Sequence, residues 1–191
     1  MYGNTADFFV DGTKLASVTR FKYLGSYVSS DCSMKEELAS RIQAMSCAFG
    51  RLRKRVFNSH DLTASTKVAV YNQCLMPLLM YGSEIWTLYQ HEIMQLRTVQ
   101  QRHLRLILII KWDDYISNEE VLRRDDVEDM EVILVRTHLR WLGHVCRMDN
   151  DRPVKQLLYC ELAYGSCPIG RPKLRFKDTC KSTLKCGHVL D

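Results

Sequence analysis

The chain has 191 residues, of which 46% are hydrophobic, 26% charged and 9% aromatic. This composition is typical of a globular protein and argues against a disordered, collagen-like or low-complexity chain. The net charge of +5 is a mild excess that allows a polyanionic partner without requiring one. The longest apolar runs, 75–81 and 106–110, are far shorter than the roughly 20 residues of a membrane span. We therefore expect no transmembrane segment.

Cysteine usage indicates the compartment. The first residues, 1–7, show no basic stretch followed by an apolar segment and a small-residue cleavage site, so they do not predict a secretory signal. Without such a signal, the eight cysteines are expected to be reduced thiols rather than a disulfide framework. The sequence therefore predicts an intracellular protein.

The first elements in chain order are strands. Residues 8–10, the turn Asp11-Gly12, residues 14–18 and residues 21–28 together predict two or three short strands. Ser33 and Glu36 then have the spacing of a capping box that opens a helix. The apolar residues that follow recur at steps of three and four, which predicts one helical stripe; they are Leu38, Ile42, Met45, Phe49, Leu52 and Val56.

Helices dominate the rest of the prediction. A second helix is expected from Asp61 or Thr63 toward Pro77, where it should kink or end, and a third over about 91–110. Ser117 is expected to cap a short helix and Asp126 to open a longer one to about residue 148. A short helix from Pro153 and a last basic helix complete the set. The predicted fold class is mainly α: a small N-terminal β-hairpin followed by a bundle of about six helices.

Paired aspartates and a cluster of thiols are the only residues that suggest chemistry. Asp113-Asp114 follows an apolar run, as in polymerase metal sites, but the position two residues earlier, usually aromatic in such a hairpin, is Lys111. A solvated loop is the favoured interpretation. The His and Cys residues from 144 to 188 contain no C-x₂₋₄-C spacing, which argues against zinc. We predict no catalytic residue, no metal site and no cofactor.

Basic residues cluster in three places. Arg51 to Arg55 ends the first helix and could complement its dipole, direct nuclear import or contact phosphates. Arg136, Arg140, His144 and Arg147 share one helix face, opposite a face to which we assign Trp141 as a core residue. A third group follows residue 170. The predicted phosphate contacts are Arg53, Arg55, Arg136, Arg140, Arg147, Arg171, Lys173 and Arg175. Nine acids between 113 and 131 should repel nucleic acid.

Several segments, taken in order, carry a resemblance. They are Val18 to Ser26, Arg41-Ile42, Leu79 to Trp86, Gln100 to Arg105, Ser117 to Leu122, Leu139 to Met148 and Gly170-Arg171-Pro172. This series resembles the C-terminal part of the reverse transcriptase polyprotein of non-LTR (LINE-type) retrotransposons. The resemblance implies that residues 1–32 form a palm-edge hairpin, 33–112 a thumb-like helical region and 113–191 a C-terminal helical region with a basic tail.

The resemblance also limits the expected activity. The fingers, the catalytic aspartate hairpin and an endonuclease have no counterpart in this sequence, so we expect no polymerase activity, although the parent family is an RNA-directed DNA polymerase. We expect a nucleic-acid-binding remnant located inside the cell, in the nucleus if the basic cluster directs import. The alternatives are a transposon relic without a role, or a helical interaction module. In that module the Leu38 to Val56 stripe would pair with a polymerase palm or a second copy.

Overall fold

Two small antiparallel hairpins precede the helices in the computed structural model, which describes residues 8–124, 126–160 and 174–185. The strands are β1 (Phe9–Val10), β2 (Thr13–Lys14), β3 (Arg20–Tyr23) and β4 (Ser26–Ser29). β1 pairs with β2 through Asp11 and Gly12, both with positive φ, as a tight hairpin turn requires. The predicted strand over 21–28 is wrong in one respect. Leu24 and Gly25, at φ 47° and 88°, turn the chain back, so that Phe21 lies opposite Val28.

The helices make up most of the described chain. They are α1 (Lys35–Leu52), α2 (Ala64–Val70), α3 (Met76–Met80), α4 (Gln90–Ile107), α5 (Asn118–Arg124), α6 (Met130–Cys146), α7 (Pro153–Tyr159) and α8 (Phe176–Lys185). A π-helical turn, Arg53–Phe57, extends α1, and 3-10 turns lie at Ser83–Ile85 and Trp112–Asp114. The prediction of a mainly α fold with a small N-terminal β region is confirmed.

The structure shows which of the predicted helix caps form. Thr63, one of the two predicted starts, caps α2 by accepting from the Thr66 N–H at 3.2 Å. Ser117 accepts from the Glu120 N–H at 3.2 Å, as predicted. The Ser33 capping box is wrong: α1 begins after Met34 without a side-chain cap. Glu36 forms an ion pair with Arg20 on β3.

The predicted start of the long helix α6 is also wrong. Asp126 lies in the preceding turn with φ 49° and therefore cannot be its first residue. Asp129 caps α6 instead, since its carboxylate accepts from the Glu131 N–H at 2.8 Å.

Pro77 is accommodated by a wide turn. Proline lacks an N–H and its ring crowds the carbonyl four residues earlier. That carbonyl belongs to Gln73, inside the π-helical turn Tyr71–Leu75 that links α2 to α3. The helix therefore continues past Pro77 and ends at Met80, before Tyr81.

The core lies between α1, the α2–α3 helix, α4 and α6. Leu38, Met45 and Phe49 of the predicted stripe are buried, and its other members pack against the core from its edge. The hypothesis that this stripe pairs with a partner helix is therefore wrong, because the stripe is covered by the chain's own helices. The other fully buried apolar residues include Phe57, Tyr71, Leu75, Leu79, Leu96, Leu104, Ile107 and Met130.

Among the described residues, no helix combines the length and the apolar character that a membrane crossing needs.

Candidate nucleic-acid interface

Helix α6 separates a buried face from a basic face. Met130, Leu134, His138 and Val145 are its buried residues, and at about 100° per residue the arginines at 136, 140 and 147 fall on the opposite side. Trp141 is only partly buried, with its ring 5.4 Å from that of His144. Its assignment to the core is therefore wrong, whereas His138, three residues earlier, is buried.

The predicted row of arginines is not uniform. Arg136 forms an ion pair with Glu128, which precedes α6. This pair neutralises the guanidinium inside the chain, so Arg136 is a poorer phosphate ligand than its spacing suggested. Arg140 and Arg147 are exposed and form no ion pair with any residue of the described ranges.

An open groove of about 600 Å³ lies where α6 ends and α7 begins. Its positive charge comes from Arg147 and Arg152, and His144 adds an imidazole to the lining. Arg152 is exposed and without an ion-pair partner in the described part of the chain. Sequence reasoning missed it, although its position directly before Pro153, at the start of α7, was visible. The remaining lining residues are Met148, Asp149, Pro153 and Val154.

Lys155 fixes the shape of this groove. Its Nζ donates to the carbonyl oxygens of Cys146 at 3.1 Å and of Met148 at 2.7 Å. These carbonyls are at the C-terminal end of α6, where the helix dipole is negative. The Lys155 charge therefore offsets that dipole and ties the first turn of α7 to the end of α6.

The other predicted contacts lie in different environments. Arg53 and Arg55 are exposed in the π-helical turn that extends α1. Arg175 forms an ion pair with Asp178 at 2.6 Å, so part of its charge is compensated. Arg171 and Lys173 lie outside the described residues. The predicted set therefore divides into exposed, ion-paired and undescribed members rather than forming one described surface.

Residues that carry the resemblance meet in a buried junction between the β3–β4 hairpin and the helices. Arg41 donates from Nε to Glu37 at 2.7 Å and from Nη2 to the Gly25 carbonyl at 2.9 Å. Its guanidinium also lies 4.5 Å from the centroid of the Tyr81 ring. Glu37, only 2% exposed, accepts the Tyr27 N–H with its other oxygen at 2.6 Å. These residues hold the hairpin against α1.

Two further contacts involve residues in or next to the resemblance segments. Arg105 donates to the Ile116 carbonyl at 2.7 Å and to Asn118 Oδ1 at 2.9 Å, joining α4 to the start of α5. His138 Nε2 lies 3.0 Å from the Ser83 carbonyl, which joins α6 to the turn after α3. Burial lowers the pKa of His138, so the imidazole is kept neutral for this contact. These segments therefore stabilise the fold.

The paired aspartates form a capped turn. Asp114 accepts the Lys111 N–H at 2.7 Å, and both aspartates are exposed. Among the described residues, no group of three or more His, Cys, Asp or Glu side chains is arranged to hold a metal ion. Cys180 is buried, which raises the pKa of its thiol to about 11, so it is a poor thiolate at neutral pH.

Comparison with known proteins gives one informative match. The chain is 22% identical over 178 residues to a Caenorhabditis elegans protein described as uncharacterized and transposon-derived. The match covers 90% of this chain and 62% of that protein, so the chain spans less than two thirds of its relative. No family model matches the sequence, and no solved structure matches it. The similarity supports a transposon origin.

Proposed function

We propose that this chain is a nucleic-acid-binding, catalytically incomplete part of a transposon-derived reverse transcriptase, and that backbone phosphates bind along α6 and the α6–α7 groove. The observation that carries the proposal is the contrast between two sets of arginines. Arg140, Arg147 and Arg152 are exposed and lack a carboxylate partner within the described ranges, whereas several other surface arginines are ion-paired. Arg51, Arg53 and Arg55 are also exposed and unpaired among the described residues, but they lie at the end of α1. The ion-paired set includes Arg97, Arg123, Arg124, Arg136 and Arg175.

Unpaired guanidinium groups suit phosphate for two reasons. No intramolecular ion pair has to break, and a guanidinium can donate two parallel hydrogen bonds to phosphate oxygens. Arg147 and Arg152 line the same groove, to which His144 adds a ring N–H donor, and Asp149 is the one carboxylate among its lining residues. Such contacts fix the position of a nucleic acid without reading its sequence.

The proposed reverse transcriptase parentage rests on the order of the resemblance segments. The transposon-derived relative supports the transposon origin alone. The proposal includes no polymerase activity, because the aspartate pair sits on a turn where Asp114 bonds to the backbone. It also includes nuclear residence, directed by the exposed cations of 51–55. A fluorescent fusion that remains cytoplasmic would contradict that part alone.

Fluorescence anisotropy at several salt concentrations tests the binding. A hairpin RNA, a single-stranded DNA and a duplex DNA should each be titrated with the purified chain. Each neutralised phosphate contributes about 0.7 to 0.9 to the slope of log K against log salt. Replacing Arg140, Arg147 and Arg152 with Gln should therefore weaken binding and reduce that slope by about 2 to 3.

A matched control separates specific contacts from net charge. Replacing the ion-paired Arg123, Arg136 and Arg175 with Gln removes the same number of positive charges. This control should alter the slope less than the unpaired set does. Equal effects of the two triple variants, or an unchanged slope in a folded unpaired-set variant, would remove the α6–α7 surface from the proposal.

A second candidate function, a relic or module that has lost a protein partner, is favoured by the N-terminal hairpins. Phe9, Phe21, Tyr23 and Val28 are all exposed there, and large exposed apolar patches usually mark a contact surface. Strong binding of a dye for exposed apolar surface, combined with absent nucleic-acid binding, would support this candidate over the first.

A further inference from the structure

The loop between α4 and α5 exposes two large aromatic side chains. Trp112 is 87% exposed and Tyr115 is 89% exposed, and Ile109 beside them is 69% exposed. Tryptophan and tyrosine are usually covered in folded proteins, and they are enriched at the centres of protein interfaces. The 3-10 turn Trp112–Asp114 places the two aromatic residues three positions apart. This aromatic loop, residues 109–115, is therefore a candidate contact surface.

The aromatic loop is held in place by the elements on both sides of it. On its C-terminal side, the Arg105 guanidinium donates to the Ile116 carbonyl and to Asn118. On its N-terminal side, the Ile110 N–H donates to the Arg105 carbonyl at 2.9 Å. A fixed loop loses little conformational entropy when it binds, which favours its use as an interface.

The charges on the aromatic loop favour one kind of binding partner. Asp113 and Asp114 are exposed between the aromatic residues, and Glu119 is exposed just beyond; Lys111 is the one cation of the loop, so the carboxylates remain in excess. These carboxylates repel a phosphate backbone but attract arginine and lysine, whose cations also bind aromatic faces. The occupant is therefore expected to be a cationic protein segment.

This chain carries such a segment. The cationic end of α1 consists of Arg51, Arg53, Lys54 and Arg55, all exposed and without an ion-pair partner among the described residues. In particular, none of them forms an ion pair with Asp113 or Asp114 of the same chain. Two complementary surfaces that are not paired within one chain can pair between two chains.

We propose that the aromatic loop of one copy docks on the cationic end of α1 of a second copy. Each copy carries both surfaces. A closed dimer therefore contains two such contacts, whereas in an open chain of copies each neighbouring pair shares one. This interface does not involve the α6–α7 groove.

Sedimentation velocity over a range of protein and salt concentrations tests the association. The wild-type chain should self-associate with increasing concentration and dissociate with increasing salt. Replacing Trp112 and Tyr115 with Ala should raise the dissociation constant at least about tenfold, as expected for central interface aromatics. The matched control replaces the exposed Ile85 and Leu157 with Ala and should leave the association unchanged.

Exchanging charges between the two surfaces tests whether the aromatic loop contacts the α1 end of a second copy. A chain with Asp113→Lys has two cationic surfaces. A chain with Arg53→Glu, Lys54→Glu and Arg55→Glu has two acidic ones, so each variant alone should be monomeric. A mixture of the two should associate, because the changed loop now faces the changed α1 end. A monomeric wild type, an undiminished Trp112 and Tyr115 variant, or a mixture that stays monomeric would overturn the proposal. Loss of RNA binding in the aromatic variant, without any self-association in wild type, would assign the loop to nucleic acid instead.

Discussion

Replacing Arg41 with Met should release the β3–β4 hairpin from the helices. The side chains of Arg41 and Glu37 are 12% and 2% exposed, so the ion pair is largely removed from water. Removing one partner of a buried pair typically costs about 3 to 5 kcal/mol, because the other charge stays buried and uncompensated. The Gly25 carbonyl and Ser26 Oγ also lose the donor that Arg41 provides, at 2.9 and 3.0 Å.

The loss should be concentrated in the hairpin. β3 is fully exposed along its length, and the Arg41–Glu37 junction supplies the charged contacts that hold its partner strand β4 to α1. Urea unfolding should show a loss of about 3 kcal/mol or more. Hydrogen exchange should show a larger loss of protection in residues 20–29 than in the buried turns of α4.

An exposed ion pair at the same junction is the control. Arg20 and Glu36 lie 2.7 Å apart, but their side chains are 65% and 39% exposed. Surface pairs of this kind contribute about 0 to 1 kcal/mol, so Arg20→Gln should change stability very little. If Arg41→Met and Arg20→Gln cost the same, or if exchange in residues 20–29 is unaffected by Arg41→Met, the junction does not hold the hairpin.

Three further predictions concern buried polar groups and a cap. Burial lowers the pKa of His103 from 6.5 to about 4. Between pH 6.5 and pH 4 the unfolded chain therefore binds a proton at His103 that the folded chain does not bind. The free energy of unfolding should fall by about 3 kcal/mol from pH 7 to pH 4. In urea unfolding at the two pH values, His103→Phe should remove this loss of stability at low pH. An unchanged pH dependence would show that His103 is not its cause. The buried Tyr71 hydroxyl has no hydrogen-bond partner among the described residues, so Tyr71→Phe should be neutral or raise the melting temperature; a clear decrease would reveal a partner. Asp129→Ala removes the α6 cap and the salt bridge to Arg97 and should cost about 1 to 2 kcal/mol in urea unfolding, whereas no loss would show that both contacts are dispensable.

The sequence predicted elements where the signal is local. Thr63 and Ser117 cap helices because a side-chain oxygen at the N-cap meets a backbone N–H two or three residues later. The apolar stripe of α1 was predicted because its spacing follows the helix period. The Leu24-Gly25 turn was not predicted, because leucine rarely adopts positive φ and only the surrounding contacts make that conformation favourable.

The candidate site was less predictable for the same reason. Helical spacing placed Arg136 and Arg140 on one face, which is correct, but spacing carries no information about Glu128, which neutralises Arg136 from the preceding loop. Arg152 joins Arg147 in one groove because the chain reverses between α6 and α7. Lys155 stabilises that reversal through its hydrogen bonds to two carbonyls. Such tertiary pairings decide which cations are available to a ligand, and a linear pattern does not contain them.

The contacts that stabilise the fold involve different residues from the cations that we propose to bind nucleic acid. Residues of the resemblance segments contact each other in two places: Gly25 and Ser26 with Arg41, and Arg105 with Asn118. Ser83 contacts His138, which directly precedes the Leu139 to Met148 segment. Gly82 fits the same logic, since its φ of 77° lies in the left-handed region that favours glycine. A chain could therefore keep this whole pattern to preserve its fold, whether or not it binds nucleic acid. Arg140, Arg147 and Arg152 make none of these contacts, although Arg140 and Arg147 lie in the Leu139 to Met148 segment. Binding experiments on these three residues therefore test function separately from the contacts that stabilise the fold.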